Sequence, residues 1–150
     1  MKAVVQRVKN ASVSVDGNIT GLIKKGLLVY LGVAKDDSEK DVVNLAEKIV
    51  HLRIFNDKDG KMNLSLMDLC KEDPSYGILA ISQFTLLADT ARGRRPFYGE
   101  AAEPVKAKEL YELFISEIKK QGIICEAGIF QALMEVTYTN EGPVTIILGD

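Results

Sequence analysis

Three strand-like segments at the amino terminus constrain the fold of this chain more than any other feature. They are KAVVQRVK, SVSVDGNITGLI and GLLVYLGV, and each is rich in the β-branched and apolar residues that favour strands. Asp16-Gly17 interrupts the second segment, and this pair is typical of a two-residue β-hairpin turn. The first third of the chain therefore predicts a sheet that contains antiparallel pairs.

Two later segments predict helices that pack on this sheet. The first begins at Ser38, which can form a capping box with Asp41, and the second runs from Pro104 to the helix-stopping Gly122. Their apolar positions repeat at helical spacing and are Val42, Leu45, Ala46, Ile49 and Leu52 in the first, and Leu110, Tyr111, Phe114 and Ile118 in the second. We predict an α+β fold with a small, antiparallel-rich, barrel-like sheet packed by two main helices.

Length and composition suit one globular unit. The chain has 150 residues, 47% of them hydrophobic, and no low-complexity linker, so residues 1–150 are expected to form one domain. A net charge of −2 argues against a protein coated in positive charge, although it allows a local basic patch. The amino terminus lacks the apolar segment of a signal peptide, and no apolar run reaches membrane-spanning length. We expect a cytoplasmic protein without a membrane partner.

Residues that bind metals or activate nucleophiles are sparse. His51 is the only histidine, which excludes a His-rich zinc site, and its helical surroundings favour a packed or surface position. Cys70 and Cys125 are far apart in sequence and are expected to be reduced, structural thiols. The stretch NDKDGK has part of a calcium-loop pattern, but apolar residues occupy the first and twelfth ligand positions, which favours a tight turn. We predict no metal and no cofactor.

The stretch SQFTL, from Ser82 to Leu86, stands at the predicted end of a strand and gathers polar groups. Ser82 and Thr85 supply hydroxyls, Gln83 supplies an amide, and the backbone N–H groups could face an oxyanion. No base lies within a few residues to activate either hydroxyl. An ordinary strand with its hydroxyls in solvent is the alternative, and composition alone favours it.

The stretch ARGRRPFY places Arg92, Arg94 and Arg95 among glycine, proline and aromatic residues, in a segment too irregular for a helix face. Clustered arginines beside aromatic side chains suit the phosphates and unstacked bases of a single-stranded RNA end. Merely solvated surface is an equally good interpretation of this charge run.

Two further stretches have less specific patterns. GIFQALM, from Gly128 to Met134, is predicted to be core because most of its side chains are apolar. NEGPVT interrupts a strand-like run with Gly142-Pro143, and proline cannot donate to a sheet ladder. For a bare Gly-Pro pair, a turn or a sheet edge is the ordinary explanation.

The order of these motifs is more specific than any one of them. AVVQRV, GKMNLSL, SQFTL followed by ADTARGRRP, and NEGPVT together resemble the D-aminoacyl-tRNA deacylases, also called D-tyrosyl-tRNA deacylases. The resemblance runs from residue 1 to residue 150. It implies a small homodimeric, barrel-like fold with two active sites at the subunit interface. The implied reaction is hydrolysis of the ester at the terminal adenosine of a tRNA that carries a D-amino acid, with no DNA partner.

The resemblance also implies roles for individual residues. The family's catalytic Ser-Gln-Phe-Thr segment, which lines the pocket, falls on Ser82, Gln83, Phe84 and Thr85. The family's Gly-Pro pair falls on Gly142 and Pro143; in the family it is held in the cis form, reaches into the partner's pocket and rejects L-amino acids. An arginine that helps hold this pair falls on Arg7, and a pocket methionine falls on Met134. We expect Arg92, Arg94 and Arg95 to contact the tRNA.

Four positions depart from the family pattern. Gln131 and Leu133 stand near the pocket methionine in place of the usual residues, Glu141 replaces an aspartate, and Phe97 occupies a position where serine is common. These departures affect the expected pocket wall and the positioning of the acceptor stem, and they leave the reaction class unchanged.

Two mechanisms are compatible with these residues. An aminoacyl ester is already activated, so an enzyme needs to orient a nucleophile and stabilise the oxyanion. Thr85 could attack as a covalent nucleophile, although nothing nearby in sequence accepts its proton. In the other version the 2′-OH of the terminal adenosine assists, and backbone N–H groups near Phe84 and Thr85 form the oxyanion hole. The resemblance favours this second version.

Chirality and substrate range follow from the implied Gly-Pro wall. A backbone wall that excludes L side chains should let glycine pass, so glycyl-tRNA is an expected second substrate. Two functions of other classes compete with the deacylase. One is a non-catalytic tRNA-end-binding module that uses the Arg92–Arg95 loop, and the other is an interaction protein whose Gly-Pro is only a turn.

Overall fold

The first strand organises the sheet. In the computed structural model, which describes residues 1–149, strand β1 runs from Lys2 to Val15 without a break. A turn at Asp16-Gly17 joins it to β2 (Asn18–Ile23), and both turn residues have positive φ, 49° and 77°, as a type I′ hairpin requires. The hairpin is therefore confirmed. The first two strand-like segments are not separated before this turn, since KAVVQRVK and SVSV lie in one strand.

The sheet is mixed and nearly closed. Strand β1 pairs antiparallel with β2, with β3 (Gly26–Gly32) and, on its other side, with β8 (Glu135–Leu148). Strands β3, β6 (Gly77–Ser82) and β7 (Ile124–Ala127) pair parallel. A Cβ on Gly21 of β2 would lie 2.7 Å from the Ala127 carbonyl oxygen of β7, so the two edges meet closely. The antiparallel-rich, barrel-like prediction holds, whereas the parallel portion was not anticipated.

Two long helices and one short helix cover the sheet. Helix α1 (Glu39–Val50) begins after the Ser38 cap, and α3 (Pro104–Lys120) has Pro104 in its first turn, as predicted. A short helix, α2 (Leu66–Glu72), was not predicted. It follows a two-strand hairpin of β4 (Phe55–Asn56) and β5 (Met62–Leu64). The NDKDGK stretch is the turn of this hairpin, where the Asp57 carboxylate accepts the N–H groups of Asp59 and Lys61.

Apolar side chains form two clusters. The larger lies between the sheet and the helices and contains the predicted α3 residues Leu110, Tyr111, Phe114 and Ile118. The smaller contains Val8, Ala11, Val13, Ile23, Leu28, Leu79 and Ile81. None of the helices in residues 1–149 has the length and hydropathy that a membrane crossing requires.

The two cysteines and the histidine lie in or at the end of three different elements of the fold. Cys125 is buried in the larger cluster and Cys70 is half-buried, and both are free thiols. Burial raises the pKa of the Cys125 thiol to about 12, which keeps it protonated and unreactive at neutral pH. His51 is exposed at the carboxyl end of α1. These positions agree with structural thiols and a surface histidine.

Candidate functional site

A cavity of about 600 Å³ opens at the carboxyl ends of two parallel strands. Because β3 and β6 run in the same direction, their carboxyl ends reach the same edge of the sheet, where Leu31 pairs with Ser82. The amino-terminal part of α3 and the loop before β8 complete the walls. The lining residues are Leu31, Val33, Ile81, Ser82, Gln83, Phe84, Ala101, Ala102, Pro104, Ala107, Tyr111, Phe130, Gln131, Ala132, Leu133, Met134 and Val136.

The SQFTL stretch turns sharply at the edge of this cavity. Strand β6 ends at Ser82, the Gln83 N–H donates to the Leu31 carbonyl at 2.8 Å, and a 3₁₀ turn spans Phe84–Leu87. The first backbone bond of that turn runs from the Leu86 N–H to the Gln83 carbonyl, at 3.3 Å. The N–H groups of Phe84 and Thr85 precede this bond and have no acceptor within the turn. They are therefore available to a ligand oxygen beside the cavity.

Thr85 is exposed and is not one of the lining residues. Its hydroxyl accepts a hydrogen bond from the side-chain amide of Gln83, which does line the cavity. An amide cannot take a proton from the hydroxyl, so this contact orients Thr85 without activating it.

The cavity wall offers no general base within residues 1–149. Among residues 1–149, Tyr111 is the one titratable side chain that lines it. The Tyr111 hydroxyl donates to the Ala80 carbonyl at 2.8 Å, and burial raises the pKa of this phenol well above its usual range. A phenol that is held protonated and hydrogen-bonded in this way cannot accept a proton near neutral pH. The wall can therefore bind and orient an ester, and the proton transfer has to come from another group.

The loop from Gly128 to Met134 is a wall of the cavity, and its prediction as core was wrong. Ile129 is half exposed and Leu133 is 91% exposed, while Met134 lines the cavity and packs on the smaller apolar cluster. Gln131 has a φ of 64° and lines the cavity. A Cβ on Gly128 would lie 2.4 Å from the Met134 sulfur, so glycine makes room for that side chain. Apolar composition alone does not separate a pocket wall from a core.

The Gly-Pro pair lies in a bulge within β8. In the β1–β8 register, Gln6 pairs with Thr145 and Val8 with Asn140, so residues 141–144 lie opposite the single residue Arg7. Gly142 and Pro143 are exposed, their peptide bond is cis, and Gly142 has a φ of 118°. The strand thus continues through the interruption by forming a bulge.

Asn140 closes the base of this bulge. Its side-chain amide donates to the carbonyls of Arg7 and Val144, both at 3.0 Å. Sequence reasoning did not single out Asn140. The available signal was an asparagine just before the interruption, where a side-chain amide can replace missing ladder bonds.

The Arg7 side chain lies next to the bulge. Its side chain is buried, and its Nη1 donates to the Ile54 carbonyl at 2.6 Å and to Asn56 Oδ1 at 3.2 Å. In the described part of the chain its Nε has no hydrogen-bond partner, and it lies 3.6 Å from Oε2 of Glu141. A cavity of about 150 Å³ is lined by Arg7, Asn56 and Glu141 together with Phe55, Leu69 and Tyr76.

The residues predicted for the site form two groups in one chain. Ser82, Gln83, Phe84 and Met134 line the large cavity, and Thr85 stands beside it. Arg7, Gly142 and Pro143 lie in or beneath the bulge, and none of the three lines that cavity.

The arginine stretch forms an exposed loop. Asp89 and Phe97 exchange backbone hydrogen bonds of 2.8 and 2.9 Å, which closes a hairpin-like loop over residues 90–96. The side chains of Arg92, Arg94 and Arg95 are exposed. Among residues 1–149, no ion pair involves any of the three. Their charge is therefore available to an anionic ligand.

Known proteins with the same fold and sequence pattern identify the family. A family profile described as D-Tyr-tRNA(Tyr) deacylase matches residues 4–149. Proteins named D-aminoacyl-tRNA deacylase from Fervidobacterium nodosum and Koribacter versatilis are 57% and 53% identical over 148 residues, which cover 99% of this chain and 96% of each relative.

Two solved structures share the fold. A c-Myc DNA unwinding element binding protein is 38% identical, with a TM-score of 0.91 and coverage of 100% of this chain and 99% of that one. A probable eukaryotic D-amino acid tRNA deacylase is similar in fold alone, at 16% identity and a TM-score of 0.82 over 98% of this chain and 97% of that one. On the strength of its sequence match and its shared fold, the chain belongs to the D-Tyr-tRNA(Tyr) deacylase family of hydrolases.

Proposed function

We propose that this protein hydrolyses the ester that joins a D-amino acid to the terminal adenosine of a tRNA, and so releases the amino acid and the free tRNA. Membership of the deacylase family supports the reaction class. A cavity of about 600 Å³ falls within the range of small-molecule sites and suits an aminoacylated nucleoside. We assign this hydrolysis to the cytoplasm, where charged tRNA is used. A single domain of residues 1–150 carries it out, without a cofactor.

The observation that carries the mechanism is the cavity wall without a base. Because Tyr111 is the only titratable lining residue in the described chain, the proton acceptor is assigned to the substrate. The 2′-OH of the terminal adenosine adjoins the ester. As the water oxygen bonds to the carbonyl carbon, the water gives a proton to the 2′ oxygen, and the 2′-OH passes a proton to the 3′ oxygen when the bond between that oxygen and the carbonyl carbon breaks. The N–H groups of Phe84 and Thr85 stabilise the oxyanion.

A covalent mechanism through Thr85 has less support. Its hydroxyl is exposed and is hydrogen-bonded by the Gln83 amide, which accepts no proton. Ser82 and Gln83 are instead assigned to binding and orienting the ester, with Phe84 and Met134 as apolar wall.

Selection of the D-amino acid is assigned to the Gly142-Pro143 bulge of a second copy of the chain. The pair is exposed, is supported by Arg7 and Asn140, and does not line its own chain's cavity. In an isologous homodimer, each bulge would enter the partner's cavity and give two equal sites. A backbone wall in this place excludes an L side chain and admits a D side chain or a bare glycine, so glycyl-tRNA is a second substrate.

The decisive experiment follows ester hydrolysis with D-Tyr-tRNA, L-Tyr-tRNA and glycyl-tRNA. We expect the pure protein to hydrolyse the first and third and to spare the second. Binding of D-Tyr-tRNA without hydrolysis would instead indicate the non-catalytic tRNA-end-binding module that uses the Arg92–Arg95 loop. Hydrolysis of D-Tyr-tRNA together with refusal of glycyl-tRNA would leave the deacylase intact and defeat selection by exclusion.

A further inference from the structure

We propose that the rim of the large cavity carries a stacking subsite for the nucleotide that precedes the terminal adenosine. It is formed by Phe84 and Tyr98 and is flanked by the arginine loop, residues 90–96. The inference rests on the proposed function, since it assigns the cavity itself to the adenosine ester. The ligand is single-stranded RNA, whose base stacks on the aromatic rings and whose phosphates contact the arginines.

The first observation is an exposed aromatic pair at the rim. Phe84 lines the cavity and is nonetheless 56% exposed. The Tyr98 ring packs against it edge-on, with centroids 4.9 Å apart and planes 62° apart, and is 37% exposed. Two exposed aromatic rings beside a cavity offer apolar surface to the part of a ligand that extends out of that cavity.

Phe97, the residue before Tyr98, adds a third exposed aromatic ring beside the arginine loop. Phe97 is 66% exposed, and its backbone bonds to Asp89 fix it at the closing end of the loop. A Cβ on Gly99 would lie 2.4 Å from two atoms of the Phe97 ring, so the ring lies against that glycine backbone. Phe84 lines the cavity, Tyr98 packs against Phe84, and Phe97 closes the arginine loop, so these three residues connect the cavity to the loop.

Charge favours RNA over a second protein chain as the occupant. The segment from Ala91 to Tyr98 contains Arg92, Arg94 and Arg95 and no acidic residue. Within residues 1–149 none of these arginines is in an ion pair. Aromatic faces beside unpaired arginines form the pattern that binds single-stranded nucleic acid, with bases on the rings and phosphates on the cations.

Stacking on an aromatic ring accepts any base, and this gives the first test. The probes are D-tyrosyl esters of adenosine, of the dinucleotides CpA and UpA, and of the trinucleotide CpCpA. We expect kcat/KM to rise by about five-fold or more from the adenosine ester to CpA, in line with one stacked base. UpA should match CpA within about two-fold, since no base edge is read.

The second test removes the ring and then restores it. Tyr98→Ala should lower kcat/KM on CpA, CpCpA and D-Tyr-tRNA by about five-fold or more, mainly through KM, whereas Tyr98→Phe should retain the wild-type value. The loss should be confined to substrates that carry the preceding nucleotide. Ile19→Ala is the matched control, because Ile19 is also an exposed apolar side chain but lies in the β1–β2 hairpin.

The arginine loop is tested by salt dependence. Arg94→Ala should flatten the dependence of log KM on log salt concentration for D-Tyr-tRNA by about 0.7 to 1 unit, as expected for one lost phosphate contact. Lys58→Ala removes the same charge from the exposed turn of the β4–β5 hairpin and should leave the slope unchanged.

Three results would overturn the subsite. The first is equal kcat/KM for the adenosine and CpA esters in the wild type. The second is an equal loss on both esters in Tyr98→Ala. The third is a change of oligomeric state in Tyr98→Ala by sedimentation, which would assign the aromatic pair to contacts between copies of the chain. A wild type that hydrolyses none of the esters and no D-Tyr-tRNA would defeat the proposed function itself.

Discussion

Asn140 shows how a single side chain can hold an interrupted strand in place. The bulge leaves four residues of β8 opposite one residue of β1, so several backbone groups lose their ladder partners. The Asn140 amide satisfies two carbonyls at 3.0 Å, and the buried Arg7 guanidinium bonds to the neighbouring β4 region. A strand broken by Gly-Pro thereby becomes a fixed projection instead of a flexible loop.

Gly142→Ala tests this projection directly. Residue 142 has a φ of 118°, and an added Cβ would lie 3.0 Å from the Val144 side chain and 3.1 Å from an Arg7 nitrogen. We expect a loss of roughly 1–3 kcal/mol in the free energy of unfolding, and a higher rate on L-Tyr-tRNA relative to D-Tyr-tRNA. Urea denaturation and paired deacylation assays measure the two effects.

Gly17→Ala is the control for backbone conformation alone. Gly17 also has a positive φ, 77°, but a Cβ there meets nothing within 4 Å. Its substitution should cost less stability and leave the L to D ratio unchanged. If both variants keep that ratio, the bulge has no part in chirality.

The proposed mechanism assigns the reacting hydroxyl to the substrate 2′-OH, and the alternative mechanism assigns it to Thr85. Thr85→Val removes only the protein hydroxyl and should keep the single-turnover rate on D-Tyr-tRNA within about ten-fold. A tRNA that ends in 2′-deoxyadenosine should react about 10²–10⁴-fold more slowly, the usual worth of a general acid or base. The reverse pattern, a dead Thr85→Val and a normal deoxy substrate, would establish the covalent mechanism.

At the scale of elements, the helix caps make stability depend on acid pH. In α1 the Ser38 N–H donates to the Asp41 carboxylate at 2.8 Å, and in α2 the Ser65 N–H donates to Asp68 at 3.0 Å. The hydrogen bonds from the Ser38 and Ser65 hydroxyls, followed by these N–H bonds, hold the pKa of each carboxyl below its usual range. Each bond favours the ionised form.

The sign of the pH dependence follows from that direction. Above the unfolded aspartate pKa of about 3.9 both carboxylates are ionised in either state, and their stabilisation is complete. It is lost as the pH falls from about 3.9 through the lower folded value. Asp41→Asn and Asp68→Asn should therefore flatten the fall in unfolding free energy below about pH 4, measured by urea denaturation. Asp36→Asn, which removes a carboxylate outside the caps, is the charge-matched comparison for both variants.

At the scale of the whole molecule, the site is proposed to need two chains. The test mixes Gly142→Ala, which impairs the wall, with Ala107→Trp, which fills the cavity from α3. The two variants are refolded together with a nine-fold excess of Ala107→Trp. Most Gly142→Ala chains then pair with an Ala107→Trp chain, so that their open cavities face an intact Gly-Pro wall from the partner. The L to D hydrolysis ratio should then fall to about one tenth of its value for Gly142→Ala alone.

A ratio that does not change on mixing would mean that each chain uses its own bulge. Sedimentation of each variant before mixing checks that the substitutions have not changed the oligomeric state. The wild type supplies the reference ratio.

Local sequence determined the features that depend on a few neighbouring residues. The Asp16-Gly17 hairpin follows from two residues that tolerate positive φ, the cap of α1 from a serine and an aspartate three positions apart, and the start of α3 from Pro104. The SQFTL stretch was placed correctly at a strand end. Each of these rests on contacts that span four residues or fewer.

Only the tertiary structure decided which distant groups meet. The parallel pairing of β3 with β6 brings Ser82 beside the end of another strand, and Asn140 reaches Arg7 across 133 positions of sequence. The GIFQALM loop became a pocket wall instead of core because the loop between β7 and β8 packs beside the ends of β3 and β6 and lines the cavity there. An apolar side chain favours burial, but the packing of elements remote in sequence decides whether it lies in the core, lines a ligand pocket or stays exposed to solvent.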